Sequence, residues 1–167
     1  MQPQIDLVAV QALLDSLART PSEVSRLVNV VPQEHWRRRP TPEEFSVIEN
    51  VCHLRDIEVD GYAQRINRIL NEVDPTLADV DGARLAIERD YNRQELAPAL
   101  EAFCKTRERN VALLRRLTAS DFDRQASLEG VGEISLQKLV VMMNEHDEGH
   151  LEELGRISNL RFQIFQI

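Results

Sequence analysis

The amino-acid sequence predicts an all-α protein built as an antiparallel four-helix bundle. Ala, Leu, Glu, Arg and Val dominate the composition, and the 167 residues include only six glycines. Apolar residues recur at helical spacing in four long segments, which are separated by loops that contain Pro, Asp and Gly. The length suits one domain over residues 1–167 with a single core.

The first helical segment covers residues 5–30, where apolar side chains recur every three or four positions. Pro21 interrupts this pattern. Thr20 has the position of an N-cap, Pro21 that of the first helical residue and Glu23 that of an acid at N3. The sequence therefore predicts either two helices or one long helix kinked at Pro21. Three prolines then predict a loop within residues 31–42.

The second long helix begins at Ser46 and extends to about Val73. Ser46 and Glu49 have the spacing of a capping box, in which each side chain bonds the backbone amide of the other residue. The apolar stripe of this helix includes Val59. At about 100° per residue, His53 lies off this stripe and groups with Glu49, Asp56 and Asp60. Periodicity by itself therefore predicts that His53 is a surface residue.

The third long helix runs over about residues 94–117, after a loop at 74–82 and a short helix at 83–90. Arg107 lies in the middle of its apolar stripe. A buried guanidinium requires a carboxylate or several other acceptors. The favoured interpretation pairs Arg107 with an acid of the second helix, and contact with a substrate is the alternative.

The fourth long helix covers about residues 135–158 and follows a glycine-containing loop at 129–133. It carries His146 and His150, whose i, i+4 spacing places both imidazoles on one face. Such a pair can bind one metal ion or consist of hydrogen-bonded histidines at the edge of the core. The apolar–polar alternation of residues 160–167 predicts an extended strand that packs on the bundle or on a second subunit.

Charge and composition exclude several classes of protein. The formal net charge is −8 and the sequence pI is about 5.1, which argues against a nucleic-acid partner. Cys52 and Cys104 are too few for a disulfide framework, so a reduced, cytoplasmic protein is expected. No signal peptide is visible, and no apolar run reaches the ~18 residues that a membrane span needs.

The order of motifs along the chain resembles the DinB-like/YfiT-like superfamily of four-helix-bundle metalloproteins. The resemblance covers nearly the whole chain and includes a tryptophan-containing loop, an aromatic–serine helix start, a histidine early in the second helix, an aromatic–asparagine pair, a mid-helix arginine and a final His-x-x-x-His. The corresponding residues are Trp36, Phe45-Ser46, His53-Leu54, Tyr91-Asn92, Arg107, Gly132, and His146 with His150. Phe45 stands where many members have tryptophan.

This resemblance implies an up-down-down-up bundle in which His53, His146 and His150 form one metal site. Three imidazoles leave a coordination position open and suit Zn, Ni, Fe or Mn. Ligating histidines usually donate their other N–H group to an acceptor. The carboxylates considered for this supporting role are Glu49 and Asp56, and Arg107 is a further candidate beside the site.

The function that the resemblance implies is metal-dependent catalysis on a small molecule. Similar proteins carry out hydrolysis or transfer reactions with low-molecular-weight thiols, and a homodimer is expected. Such a metal can lower the pKa of bound water or hold a thiolate. The alternative is a non-catalytic, stress-related bundle that binds a small ligand or serves as a dimeric protein.

Overall fold

The computed structural model describes residues 6–164 and contains a four-helix bundle, as predicted. The helices are α1 (Leu7–Asn29), α2 (Val47–Asp56), α3 (Ala63–Asn71), α4 (Gly82–Glu88), α5 (Leu96–Leu114), α6 (Ala119–Phe122) and α7 (Leu136–Ile164). The strands are β1 (Thr76–Leu77), β2 (Gln125–Leu128) and β3 (Gly132–Ser135).

Four long helical segments form the bundle. They are α1, α5, α7 and the segment in which α3 continues α2. Both α1 and α2 pack against α5 and against α7. The direction in which each helix runs through the bundle stays a prediction of the sequence. None of the helices within residues 6–164 combines the length and the apolar character that crossing a membrane requires.

A single helix, α1, passes through Pro21, so the two-helix alternative is wrong. Its N-cap is Asp6, whose carboxylate accepts hydrogen bonds from the amides of Val8 and Ala9 at 2.9 and 3.2 Å. The proline removes one backbone donor. Burial of apolar residues on both sides of it, including Leu17 and Val24, keeps the helix continuous.

The helix that begins at Ser46 has the predicted capping box. Ser46 Oγ accepts from the Glu49 amide at 3.3 Å, and Glu49 Oε2 accepts from the Ser46 amide at 2.8 Å. A π-helical turn, Ile57–Tyr62, then joins α2 to α3. This wider turn changes the rotational phase, so Glu58 is buried and Val59, expected on the apolar stripe, is only half-buried.

The bundle core consists of two apolar clusters with a polar layer between them. Along α5, Phe103 belongs to one cluster and Val111 to the other, with the buried Arg107 between them. Along α1, the buried Thr20 lies between Leu17 and Val24 in the same way. Glu58 and Asp147 complete this layer from the π-helical turn and from α7.

A small three-stranded sheet is the main addition to the predicted all-α fold. Its order is β1-β2-β3; β1 pairs with β2 in parallel, and β2 pairs with β3 in antiparallel register, with Ala126 opposite Ile134. Gly130 and Gly132 have φ angles of 76° and 101° at the hairpin, a conformation that glycine adopts without steric strain. Strands of two to four residues are too short to produce a clear alternating pattern.

The last helix is longer than the sequence pattern indicated. Helix α7 continues to Ile164, so the extended strand predicted from Leu160 is wrong for residues 160–164. Extending an existing helix adds a hydrogen bond per residue without a new nucleation step, which favours helix over a short isolated strand. Residues 165–167, the rest of that predicted strand, lie outside the described residues.

Candidate metal centre

Three histidines from two helices meet at the side of the polar layer. His53 comes from α2, and His146 and His150 come from α7. One nitrogen of each ring can be chosen so that all three lie within 4.8 Å of one another. The Nε2 atoms of His53 and His146 are 3.0 Å apart, and the ring centroid of His150 is 4.6 Å from each of the other two centroids.

His53 reaches this cluster although it lies off the apolar stripe of its helix. Its ring is partly buried, and the ring centroid is 5.4 Å from that of Phe45. On another side, Gly82 at the start of α4 lies so close that a Cβ atom there would be 2.2 Å from His53 Cε1. The surface position expected from periodicity is therefore wrong, because neighbouring segments cover this side of α2.

The environment of His53 and His146 favours the neutral form of both imidazoles. Burial, followed by the nearby His150 and His146 rings, lowers the pKa of His53 to about 3. Burial also lowers the pKa of His146, although Asp147 acts in the opposite direction. Neutral imidazole is the form that binds metal ions. At neutral pH the cluster therefore offers lone pairs.

A buried asparagine sets the orientation of His150. Asn50 Oδ1 lies 2.7 Å from His150 Nδ1, and Asn50 Nδ2 donates to the Ser46 carbonyl at 3.2 Å. Because the amide nitrogen already has this acceptor, Oδ1 is the atom that faces the imidazole. Nδ1 of His150 therefore carries the proton, which leaves the Nε2 lone pair free for a metal ion.

The other two rings face each other through Nε2, and they differ from His150 at Nδ1. Within the part of the chain that the structure describes, Nδ1 of His53 and Nδ1 of His146 are buried without a hydrogen-bond partner. The nearest carboxylate oxygen recorded for His146, Asp147 Oδ1, is 3.8 Å from Nδ1, too far for a hydrogen bond. Buried polar atoms normally have partners. Three converging imidazoles fit a divalent transition-metal ion in both ligand type and number.

The contacts correct the supporting roles considered for Glu49 and Asp56. Glu49 accepts from the Ser46 amide and from Arg39 Nε at 2.9 Å. Asp56 binds Arg55 Nε, Arg89 Nη1 and the Tyr91 hydroxyl, each at 2.7 Å. Neither carboxylate hydrogen-bonds an imidazole of the cluster in the described residues, since both are already used by arginines and helix caps.

Arg107 belongs to the buried polar layer. Its Nε and Nη2 donate to the two oxygens of Glu58 at 2.9 and 2.8 Å, and Nη1 and Nη2 donate to Asp147. Nη1 also donates to the Leu17 carbonyl at 3.2 Å. All five N–H groups thus have acceptors. The favoured interpretation, an arginine paired with an acid of the second helix, is confirmed with Glu58 as the acid.

Burial disfavours the charged forms of Arg107 and Asp147, but the oppositely charged side chains next to them outweigh this effect. Glu58 and Asp147 raise the pKa of Arg107. Burial acts to raise the pKa of Asp147, but Arg107 holds that pKa below its ordinary value. Because Asp147 follows His146 directly in α7, the ion network is adjacent to the histidine cluster through the helix itself.

Sequence reasoning did not identify Asn50, Gly82 or Asp147 as parts of the site. Asn50 lies near the start of a predicted helix, where a polar residue is ordinary. Gly82 follows Asp81 in a segment that has the composition of a loop. Asp147 is an acidic residue next to a histidine, and nothing else in the sequence distinguishes it. The contacts of all three residues join segments that are distant in sequence, so spacing carries no signal for them.

A four-helix bundle with three histidines converging from two helices defines a class of metal-binding bundle proteins. The sequence profile of the DinB superfamily matches residues 16–154. The chain therefore belongs to the DinB superfamily, as the order of its motifs indicated.

Two proteins are similar to the chain over most of its length. It is 25% identical over 150 residues to a protein of Oceanobacillus iheyensis named "Putative metal-dependent hydrolase OB0413", with 88% of this chain and 86% of that protein covered. The fold of this chain matches that of YfiT from Bacillus subtilis with a TM-score of 0.87 at 20% sequence identity. The match covers 96% of this chain and 92% of the YfiT chain. YfiT is described as "a probable metal-dependent hydrolase with an unusual four-helix bundle topology".

Proposed function

We propose that this protein is a metal-dependent hydrolase of a small molecule, and that His53, His146 and His150 hold the metal. The observation that carries the proposal is the convergence of three imidazoles, each with a nitrogen within 4.8 Å of one nitrogen of the other two. The name of the Oceanobacillus relative supports the reaction class. A divalent ion with an open coordination position supplies Lewis acidity and activates water near neutral pH.

The residues of the chain would prepare this centre in defined ways. Asn50 orients His150 through Nδ1, so that Nε2 is available as a ligand. Three protein ligands leave room for water or for a substrate atom. The uncharged ligand set leaves the positive charge of the ion undiminished, which favours activation of a bound oxygen nucleophile over a purely structural role.

A cleft whose lining includes neighbours of His53 and His150 is the candidate place for the substrate. It has a volume of about 360 Å³, and its lining includes Phe45, Glu153 and Arg156. The Phe45 ring is 5.4 Å from the ring of His53, and Glu153 Oε2 is 3.5 Å from His150 Nδ1. The cleft thus joins an apolar surface to charged groups of both signs next to the proposed metal. A small polar molecule with an apolar portion fits this lining.

Elemental analysis tests the proposal directly. Protein purified without a polyhistidine tag or chelator is measured by inductively coupled plasma mass spectrometry, and His150→Ala is the comparison. We expect near one equivalent of a divalent transition metal in the wild type and loss of that metal in the variant. His35→Ala is the control, because His35 lies in a separate loop turn. Absence of metal after reconstitution with Zn²⁺ and Ni²⁺ would refute the proposal.

Activity screening separates hydrolysis from the alternatives. The metal-loaded protein is assayed on ester, amide and phosphoester substrates with and without a low-molecular-weight thiol. Turnover that needs only water supports the hydrolase, whereas turnover that requires a thiol supports the thiol-dependent transfer that the family resemblance implies alongside hydrolysis. Metal binding without turnover, together with tight binding of a small ligand, would support the non-catalytic bundle.

A further inference from the structure

Residues 78–91, here called the cover segment, lie against the helix that carries His53. They contain α4 and the turns on both sides of it. The closest contact is made by Gly82, where a Cβ atom would lie 2.2 Å from Cε1 and 2.6 Å from Nδ1 of His53. Such distances are far below van der Waals contact. Glycine is therefore the residue that lets this backbone approach the imidazole.

The beginning of the cover segment is attached to α3. Arg65 Nη2 donates to the Ala78 carbonyl at 3.0 Å and lies 3.6 Å from the Asp79 carboxylate. Asp81 then caps α4 by accepting a hydrogen bond from the Arg84 amide at 3.0 Å. These contacts fix the backbone immediately before and after Gly82.

The end of the cover segment is attached to α2 and the π-helical turn. Arg89 Nη1 lies 2.7 Å from Asp56 Oδ2 and 2.8 Å from Asp60 Oδ2. The fully buried Tyr91 donates its hydroxyl proton to Asp56 Oδ2 at 2.7 Å. Asp56 is three residues from His53, yet its contacts hold the cover segment and not the imidazole.

His53 has no hydrogen bond at Nδ1 among the residues that the structure describes. This distinguishes it from His150, whose ring is oriented by Asn50. Apart from the contact between its Nε2 and His146 Nε2, the orientation of the His53 ring must therefore come from packing. Gly82 lies against the ring edge formed by Nδ1 and Cε1, and a Cβ atom there would also be 3.4 Å from Nε2, the nitrogen that lies 3.0 Å from His146 Nε2.

We propose that Gly82 is a positioning residue for the metal centre, acting through the cover segment on His53. The glycine admits the ring, and the attached segment then keeps Nε2 directed toward His146. The inference rests on the proposed metal site. It assigns to the cover segment the role that a hydrogen-bonding carboxylate or amide has for other metal-bound histidines.

Zinc affinity of a Gly82→Ala variant tests this role, with Gly149→Ala as the matched control. Gly149 lies in α7 next to His150, and a Cβ there would meet nothing within 4 Å. We expect Gly82→Ala to weaken zinc binding about ten- to a hundredfold in competition with a chromophoric chelator, as when other supports of metal ligands are lost. Gly149→Ala should bind zinc like the wild type. Cobalt-loaded Gly82→Ala should also show altered visible absorption bands.

A second comparison shows whether the alanine acts through His53 or only disturbs α4. Melting temperatures are measured in chelator for Gly82→Ala in the wild-type and in the His53→Ala backgrounds. We expect a clear decrease in the first background and little change in the second, because removal of the imidazole makes room for the methyl group. Equal decreases in both backgrounds would overturn the proposal.

The two proposals fail in different ways. Zinc binding by Gly82→Ala that equals that of Gly149→Ala and of the wild type overturns the role of Gly82 and leaves the metal-dependent function intact. A wild-type protein that binds neither zinc nor cobalt overturns the proposed function and with it the metal role of Gly82. In that case the melting comparison still measures the contact between Gly82 and His53.

Discussion

Replacing Arg107 with methionine tests whether a buried charge holds the polar layer of the bundle together. Methionine keeps an unbranched apolar chain in the core but removes the guanidinium. In the wild type, all five N–H groups of Arg107 donate to Glu58, Asp147 and the Leu17 carbonyl. The substitution therefore leaves two carboxylates in the core without their counter-ion.

The expected cost follows from the burial of these carboxylates. The side chains of Glu58 and Asp147 are 0% and 2% exposed, so water cannot replace the guanidinium. Removing one partner of a buried ion pair destabilises a protein by about 3–5 kcal/mol. Total free energies of unfolding are about 5–15 kcal/mol. Arg107→Met should therefore remove a large part of the stability of this domain.

Urea unfolding in the presence of a chelator measures this effect without a contribution from metal binding. Arg109→Met is the control, because Arg109 is exposed on the same helix, and its cost should stay within about 0.5 kcal/mol. Adding Glu58→Gln and Asp147→Asn to Arg107→Met should restore part of the stability by neutralising the carboxylates. A difference below about 1 kcal/mol between the two methionine variants would refute the reasoning.

Three further predictions concern the histidine cluster and the helix that carries His53. Asn50→Ala should weaken zinc binding about ten- to a hundredfold, and Asn50→Asp should retain more affinity because the carboxylate is still an acceptor for His150; chelator competition measures both. The metal-free protein should lose stability as the pH falls below about 6.5. The folded pKa of His53, about 3, lies below the unfolded value, so the unfolded state takes up protons first. The contribution of His53 to this loss should reach at most about 1.4 kcal/mol per pH unit, and chemical unfolding at pH 7, 6 and 5 should show a smaller slope for His53→Gln. Ser46→Ala should lower the free energy of unfolding by about 1 kcal/mol through loss of the capping box, and an unchanged unfolding midpoint would contradict that role.

Much of the helical architecture could be predicted because helix formation leaves local signals. The capping box of Ser46 and Glu49 involves residues three apart, and the structure reproduces it. The need of a buried Arg107 for an acid follows from charge and burial alone, and the structure supplies Glu58. Periodicity assumes 3.6 residues per turn, however. It therefore failed at the π-helical turn, where Glu58 replaces Val59 on the buried side.

The candidate metal site was predictable only in part. The i, i+4 spacing of His146 and His150 marks one face of a helix. The third member, His53, came from a family resemblance and contradicted the periodicity of its own helix. Asn50 was not predicted at all, and the carboxylates considered in its place have other partners. These contacts depend on which face of α2 meets α7, and no pattern within either helix encodes that choice.

The sequence by itself determined the four long helices, the start of the second at Ser46 and the pairing of His146 with His150 on one face. Each depends on residues within about one turn of each other, where backbone geometry sets the distances. Tertiary structure alone decided the approach of Gly82 to His53, the acceptor for His150 and the acids around Arg107. In these cases segments far apart in the chain become neighbours only when the helices pack, and burial then determines which polar groups must pair.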